Sequence, residues 1–187
     1  PDMFATRRYR RPHALCASIA VIAFTSTGCH MDQPYAPTPP SDTAKAVAEL
    51  KALPTFEETQ AQVQAAVDEI AAATSAVVPL AKWENLHGAS TDICEHPYEQ
   101  SDGKRMFLPD RVAANVAVSE AEWAQIFQIA KDASAKVGAT EIQAMHDEPG
   151  YHDVGFYGPA GLFIKVGYQG NLGISGYTGC RLPQAQK

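Results

Sequence analysis

What this chain has little of narrows the possibilities first. No apolar run approaches the ~20 residues that a bilayer-spanning helix needs; the longest, Ala14 to Phe24, covers about eleven. Cysteine is scarce, with four residues at positions 16, 29, 94 and 180 and no CxxC pair, which removes the thioredoxin-like and zinc-ribbon readings. A nucleophile elbow, an HExxH helix, a P-loop and a GxGxxG turn are all missing, and with them the cheap local signatures of catalysis. No catalytic residue, metal ligand or cofactor is assigned, and the chain is expected not to be an enzyme. Basic residues are few outside the N-terminus. From Cys29 onward 11 Lys and Arg stand against 20 Asp and Glu, so the whole-chain charge of −6 becomes −9. That balance argues against a nucleic-acid partner, which needs cations against phosphate, and against a broad electrostatic hold on anionic lipid.

What is there begins with Arg7, Arg8, Arg10 and Arg11, then the apolar run, then Ser26-Thr27-Gly28-Cys29. Arginines keep a leader on the cytoplasmic side, and a run of this length suits a signal peptide. Thr27 and Gly28 are small enough to enter a peptidase site, and Ser26 stands where leucine is usual. The pattern reads as a bacterial lipoprotein signal: residues 1–28 are the leader, with Met3 expected as its start, and Cys29 is the lipidation site. Residues 29–42 hold Pro34, Pro37, Pro39 and Pro40 and read as a lipidated, semi-extended tether, at about 3.1 Å per residue. The partner at this end is the membrane, reached through acyl chains on Cys29 at its extracytoplasmic face.

Cysteine bookkeeping follows from that reading. Cys16 leaves with the leader and Cys29 carries lipid, so Cys94 and Cys180 remain as one pair in an oxidising compartment. A disulfide closing a loop of this length stabilises by roughly 4 kcal/mol on the chain-entropy model.

Residues 43–187 read as a single α+β domain. Ser41 to Leu53 has helical composition and ends at Pro54. Thr55 and Glu58 form a capping box before Val63, Val67, Ile70, Thr74 and Val77, which recur at helical spacing. Lys82 to Leu86, with Trp83, reads as a strand, and His87 to Gly103 as a long loop around Cys94. One or two short strands are expected in Met106 to Val118, broken at Pro109-Asp110. Ser119 and Glu122 repeat the capping box, Trp123, Ile126, Phe127, Ala130, Ser134 and Val137 continue the buried face, and Gly138 caps the end. The period then changes to two, giving strands at Thr140 to Met145, Val154 to Tyr157, Leu162 to Tyr168 and Leu172 to Thr178. A three-residue loop, Gln169-Gly170-Asn171, brings the apolar faces of the last two strands together, whereas a two-residue turn would oppose them. The expected architecture is an antiparallel, meander-type sheet in the C-terminal half with helices packed on one face.

Two side-chain groups stand out. His146-Asp147-Glu148-Pro149-Gly150-Tyr151-His152-Asp153 brings two histidines and three carboxylates to one turn, with His87 and His96 in reach from the long loop. Imidazole with carboxylate is a zinc-type ligand set, and it supports an alternative reading as an envelope hydrolase or metal-dependent enzyme. A solvated acidic turn accounts for the same letters. Tyr151, Phe156, Tyr157, Phe163, Tyr168 and Tyr177 line a groove for lipid or glycan, or pack across strands.

Trp83-Glu84-Asn85, Cys94-Glu95, Phe107-Leu108-Pro109, Glu122-Trp123, Gly150-Tyr151-His152-Asp153 and Ser175-Gly176-Tyr177-Thr178-Gly179-Cys180 together resemble the LppA-like family of mycobacterial cell-envelope lipoproteins. The resemblance covers most of the region after Cys29. It implies attachment to the outer face of the plasma membrane through an acylated cysteine, which maps onto Cys29, and it brings no catalytic residues. The expectation is a non-catalytic, tethered binding or interaction domain whose partner is an envelope lipid, glycan or protein.

Overall fold

Local sequence sets the helix ends. The computed structural model describes residues 36–187; the leader, Cys29 and the spacer through Tyr35 lie outside the described residues. Helix α1 (Pro40–Ala52) opens on a proline, whose missing N–H is no loss in a first turn. Helix α2 (Phe56–Val77) starts at Thr55, whose hydroxyl accepts from the Glu58 N–H at 3.2 Å while the Glu58 carboxylate accepts from the Thr55 N–H at 2.9 Å. Ser119 and Glu122 build the same reciprocal box at the start of helix α3 (Glu120–Lys136). Each box satisfies two N–H groups that a helix start otherwise leaves without partners.

Among the described residues eight strands form one antiparallel sheet: β1 (Glu84–Asn85), β2 (Ser90–Ile93), β3 (Lys104–Phe107), β4 (Arg111–Ala113), β5 (Glu141–Glu148), β6 (Tyr151–Tyr157), β7 (Phe163–Tyr168) and β8 (Leu172–Tyr177). The order is β1-β4-β8-β7-β6-β5, with β3 paired to the Tyr177 end of β8 and β2 paired to β3. Strands β5 to β8 are the expected meander. Tyr168 pairs with Leu172 across the three-residue loop, so Ile164, Val166 and Tyr168 share a face with Gly176, Ile174 and Leu172. Two local expectations change. The strand at Trp83 shrinks to two residues, and the supposed loop holds β2, which pairs with β3 from Ser90↔Phe107 to Ile93↔Lys104. All four β2 residues are exposed, so no alternating pattern marks them in the sequence.

Helices α2 and α3 cover the face that carries Val154, Phe156, Ile164, Val166, Leu172 and Ile174, and their buried residues form one core with it. At Gly176 the approach is closest. A Cβ there would lie 3.0 Å from the side chains of Val63 and Val67 and 2.9 Å from Leu108, so only glycine lets α2 cross β8 at this depth. Trp83 closes one end of the layer, its indole N–H donating to the Ala71 carbonyl and the Ser75 hydroxyl at 3.0 Å each.

A second cluster, Leu50, Cys94, Cys180 and Leu182, joins α1 to the disulfide. The Cys94–Cys180 bond is formed, with Cα atoms 5.5 Å apart and a sequence separation of 86. Gly103 passes so close that a Cβ would sit 2.6 Å from the Cys180 sulfur and 2.8 Å from that of Cys94. The chain end fastens the same corner: the Lys187 ammonium donates to the carbonyls of Lys51, at 2.7 Å, and Leu53.

The last residues of the expected tether belong to the folded domain. Pro40, Ser41 and Asp42 form the first turn of α1, and Thr38 is buried against the disulfide loop. Its N–H and hydroxyl both donate to Glu99 Oε1, at 2.7 and 2.5 Å, and its carbonyl accepts from the Gln100 amide at 2.6 Å. These bonds hold the Glu99 carboxyl down at about 2. Composition misses this docking because polar contacts, not apolar burial, make it.

Candidate functional site

The helices occupy one face of the sheet; the other stays half-exposed, and strand register places its side chains in rows. The first row runs Tyr157, Phe163, Tyr177 and Phe107 across β6, β7, β8 and β3. Its ring centroids are 6.0, 4.9 and 4.2 Å apart in turn. The second row is Gly155, Lys165 and Ser175, and the third is Asp153, Gly167, Gly173 and Val112. The aromatics form a ridge, and the third row, with no side chain at its two central positions, forms a trough on the far side of the second row.

The trough encloses about 530 Å³ and is lined by Tyr151, Asp153, Lys165, Gly167, Gly173 and Ser175 among others. Its floor is open backbone: a Cβ on Gly173 would meet nothing within 4 Å. Lys165 stands in the middle, its ammonium 5.0 Å from the Phe163 ring centre and 6.0 Å from that of Tyr157, within reach of cation–π attraction. The Ser175 hydroxyl donates to Asp110 Oδ1 at 2.6 Å. The walls therefore offer an ammonium donor, a carboxylate acceptor at Asp153 and the amides of Gln169 and Asn171 over an accessible backbone. That mixture suits a flat, many-hydroxyl ligand better than a hydrocarbon, which a site lined mainly by apolar side chains would hold.

The aromatics grouped together in the sequence are divided by the sheet. Phe156 is fully buried on the helix side, while Tyr157, Phe163 and Tyr177 stand on the open side. Phe107 completes the ridge from β3, a position that sequence reading did not connect to the others. Strict alternation separates Phe156 from Tyr157; only the tertiary pairing of β3 with β8 recruits Phe107.

The histidines are divided in the same way. His146 pairs with Asp153 and His152 with Asp147 in adjacent positions of the β5–β6 hairpin, so the two rings project from opposite faces. His146 stacks on Tyr151 with centroids 4.0 Å apart. His152 is buried, with Nδ1 2.9 Å from Asp147 Oδ1 and Nε2 3.1 Å from Glu120 Oε2. Its ring lies 4.4 Å from that of Trp123 and nearly parallel to it. Glu120 also accepts from the Gly150 N–H at 2.8 Å. His152 thus clasps the hairpin tip to the start of α3. His96 lies elsewhere, bonded to Thr38. Among the described residues no group of three or more His, Cys, Asp or Glu is placed to hold a metal ion. Glu120, the partner that sequence reading missed, comes from an element far along the chain and carries no local signal beyond its place in a first helical turn.

A third polar group lies beside the disulfide. Arg181 is buried and donates to the carbonyls of Pro159, at 3.1 Å, and Cys180, at 2.7 Å, and burial holds it down at about 10. Tyr98 donates to Glu49 Oε2 at 2.9 Å, and burial together with that carboxylate pushes the phenol up to about 12. These contacts brace α1 and the 3₁₀ turn Pro159–Gly161 rather than face a ligand.

Among the described residues no helix is long and apolar enough to cross a membrane. No curated protein sequence matches the chain. Of solved structures, the LppA lipoprotein of Mycobacterium tuberculosis is similar in fold at 17% identity and a TM-score of 0.50, over 78% of this chain and 89% of that one. A DUF4853 family protein from Actinomyces odontolyticus shows 13% identity and a TM-score of 0.46 over 72% of each chain. The family model LppA, described as a lipoprotein confined to pathogenic Mycobacterium, matches residues 31–184. With most of its length inside that match, the chain belongs to the LppA family of lipoproteins and, with that family, to the cell envelope.

Proposed function

We propose that this protein is a non-catalytic binding module, held to the extracytoplasmic face of the cell membrane by acyl chains on Cys29, and that the open face of its sheet takes an envelope glycan. The observation that carries the reading is the trough over Gly167 and Gly173, lined by Lys165, Asp153 and Ser175 with Tyr151 and Tyr168 as its aromatic neighbours. Sugar rings present hydroxyls edge-on and C–H groups face-on, so they need polar walls, a close backbone and aromatic neighbours together. Catalysis is disfavoured by the local pairing: the Ser175 hydroxyl donates to a carboxylate, and the His152 imidazole is committed to Asp147 and Glu120. The domain stands off the bilayer on the proline-rich spacer, whose last residues dock at Thr38.

The test is a titration of the intact protein in detergent with oligosaccharides released from the envelope, followed through the backbone amides of the trough. Binding should shift the amides of Gly167, Gly173 and Ser175. Gly173→Trp should abolish those shifts at unchanged melting temperature, because its Cβ points into open space. Shifts that persist in Gly173→Trp, or none in the parent protein, overturn the reading.

A further inference from the structure

One edge of the sheet is unusual. The opposite end of the main strand order closes on β1, two residues long, but β5 is an eight-residue edge strand that, among the described residues, pairs with β6 alone and has every residue exposed. Proteins commonly protect such an edge with short strands, lysine, proline or a bulge. Here a bulge lies between Ala144 and His146, yet lysine and arginine are missing from the whole stretch between Lys136 and Lys165. Two of the exposed large apolar side chains, Ile142 and Met145, sit on this one strand.

The edge is also held rigid from behind. The His152 clasp to Asp147 and Glu120, and the Glu120 bond to the Gly150 N–H, pin the hairpin to α3. A strand fixed in advance loses little further freedom when a partner adds to it.

Register defines what the partner must carry. Glu141 pairs with Tyr157 and Glu148 with Tyr151, which places both carboxylates on the open side of the sheet; Ile142 opposite Phe156 and Ala144 opposite Val154 lie on the helix side. A second copy fits badly: antiparallel pairing of two β5 strands about their centre opposes Glu141 to Glu148 at both ends, and like charges in direct opposition repel. We infer that β5 is a docking edge for an extended segment of a different protein, one that alternates lysine or arginine on the open side with apolar residues on the helix side. That segment adds a strand by main-chain hydrogen bonds, and its charges select the register. The inference is independent of the glycan reading, since it uses another surface.

Hydrogen exchange on the intact protein in detergent tests it, with a short peptide alternating lysine and valine as the probe and its glutamate-valine counterpart as the control. The lysine peptide should slow exchange across β5 by about tenfold or more, while the glutamate peptide leaves it unchanged. Glu141→Lys with Glu148→Lys, both surface changes, should reverse the preference. Equal slowing by both peptides, no slowing by the lysine peptide, or a dimer whose β5 amides are protected without peptide overturns the inference.

Discussion

The two faces of this sheet use the same strands for opposite purposes. On the helix side Phe156, Ile164, Val166 and Ile174 are all but fully buried and interlock with α2 and α3. On the other side Tyr157, Lys165, Ser175 and Tyr177 alternate with them along the same backbone and stay half-exposed. Burying one such apolar side chain contributes about 1.5–3 kcal/mol, so the first face carries the stability of the domain. The second is half-exposed, so its residues can be replaced at less cost to the fold, and it is the face that the proposed glycan reading uses.

That contrast is sharpest in a substitution that should break it. Phe156→Ala empties a fully buried site and should lower stability by about 4–5 kcal/mol, measured by urea unfolding. Replacing Cys94 and Cys180 together by alanine should cost roughly 4 kcal/mol and loosen α1, without altering the amide spectrum of the trough. His152→Leu keeps the contact with Trp123 but leaves Asp147 and Glu120 without their shared partner. It should cost about 1–2 kcal/mol and speed exchange at the β5–β6 tip more than in the β7–β8 pair.

Acid should act on the docked Thr38 segment. The Glu99 carboxyl is lowered from 4.5 to about 2 by its bonds from Thr38. A carboxylate depressed in the folded state contributes stability that is present above its ordinary pKa and is lost as pH falls toward the folded value. Docking of Thr38 should therefore weaken between about pH 4.5 and 2. Faster exchange of the Thr38 amide in that window, absent in Glu99→Gln, is the expected result. Smallest of all should be the stability change of Gly173→Trp on the open face, within about 0.5 kcal/mol, although it fills the trough.

Several of these features are legible before any coordinates. The capping boxes at Thr55 and Ser119 are read from four residues each because helix starts are satisfied locally. The three-residue loop between β7 and β8 follows from side-chain alternation, since a slip by one residue would turn every apolar side chain outward. The division of Phe156 from Tyr157, and of His146 from His152, was not drawn from the sequence; it follows from strand alternation and from the hairpin register, in which His146 pairs with Asp153 and His152 with Asp147. Strand β2 was not legible: all of its residues are exposed, and it forms only because β3 lies alongside. Nor was the burial of Thr38, which depends on Glu99 and Gln100 reaching it from a loop sixty-odd residues away.

By itself, then, the sequence determined the helix ends, the strand period, the pairing left to Cys94 and Cys180, and membership of a lipoprotein family. Each depends on residues close together in the chain or on a count of cysteines. Tertiary structure decided which side of the sheet the helices cover, that Phe107 joins the aromatic ridge, that Glu120 reaches His152, and that β5 is the edge strand among the described residues. Those outcomes depend on contacts between segments far apart in the chain, where packing selects among arrangements that local sequence leaves equivalent.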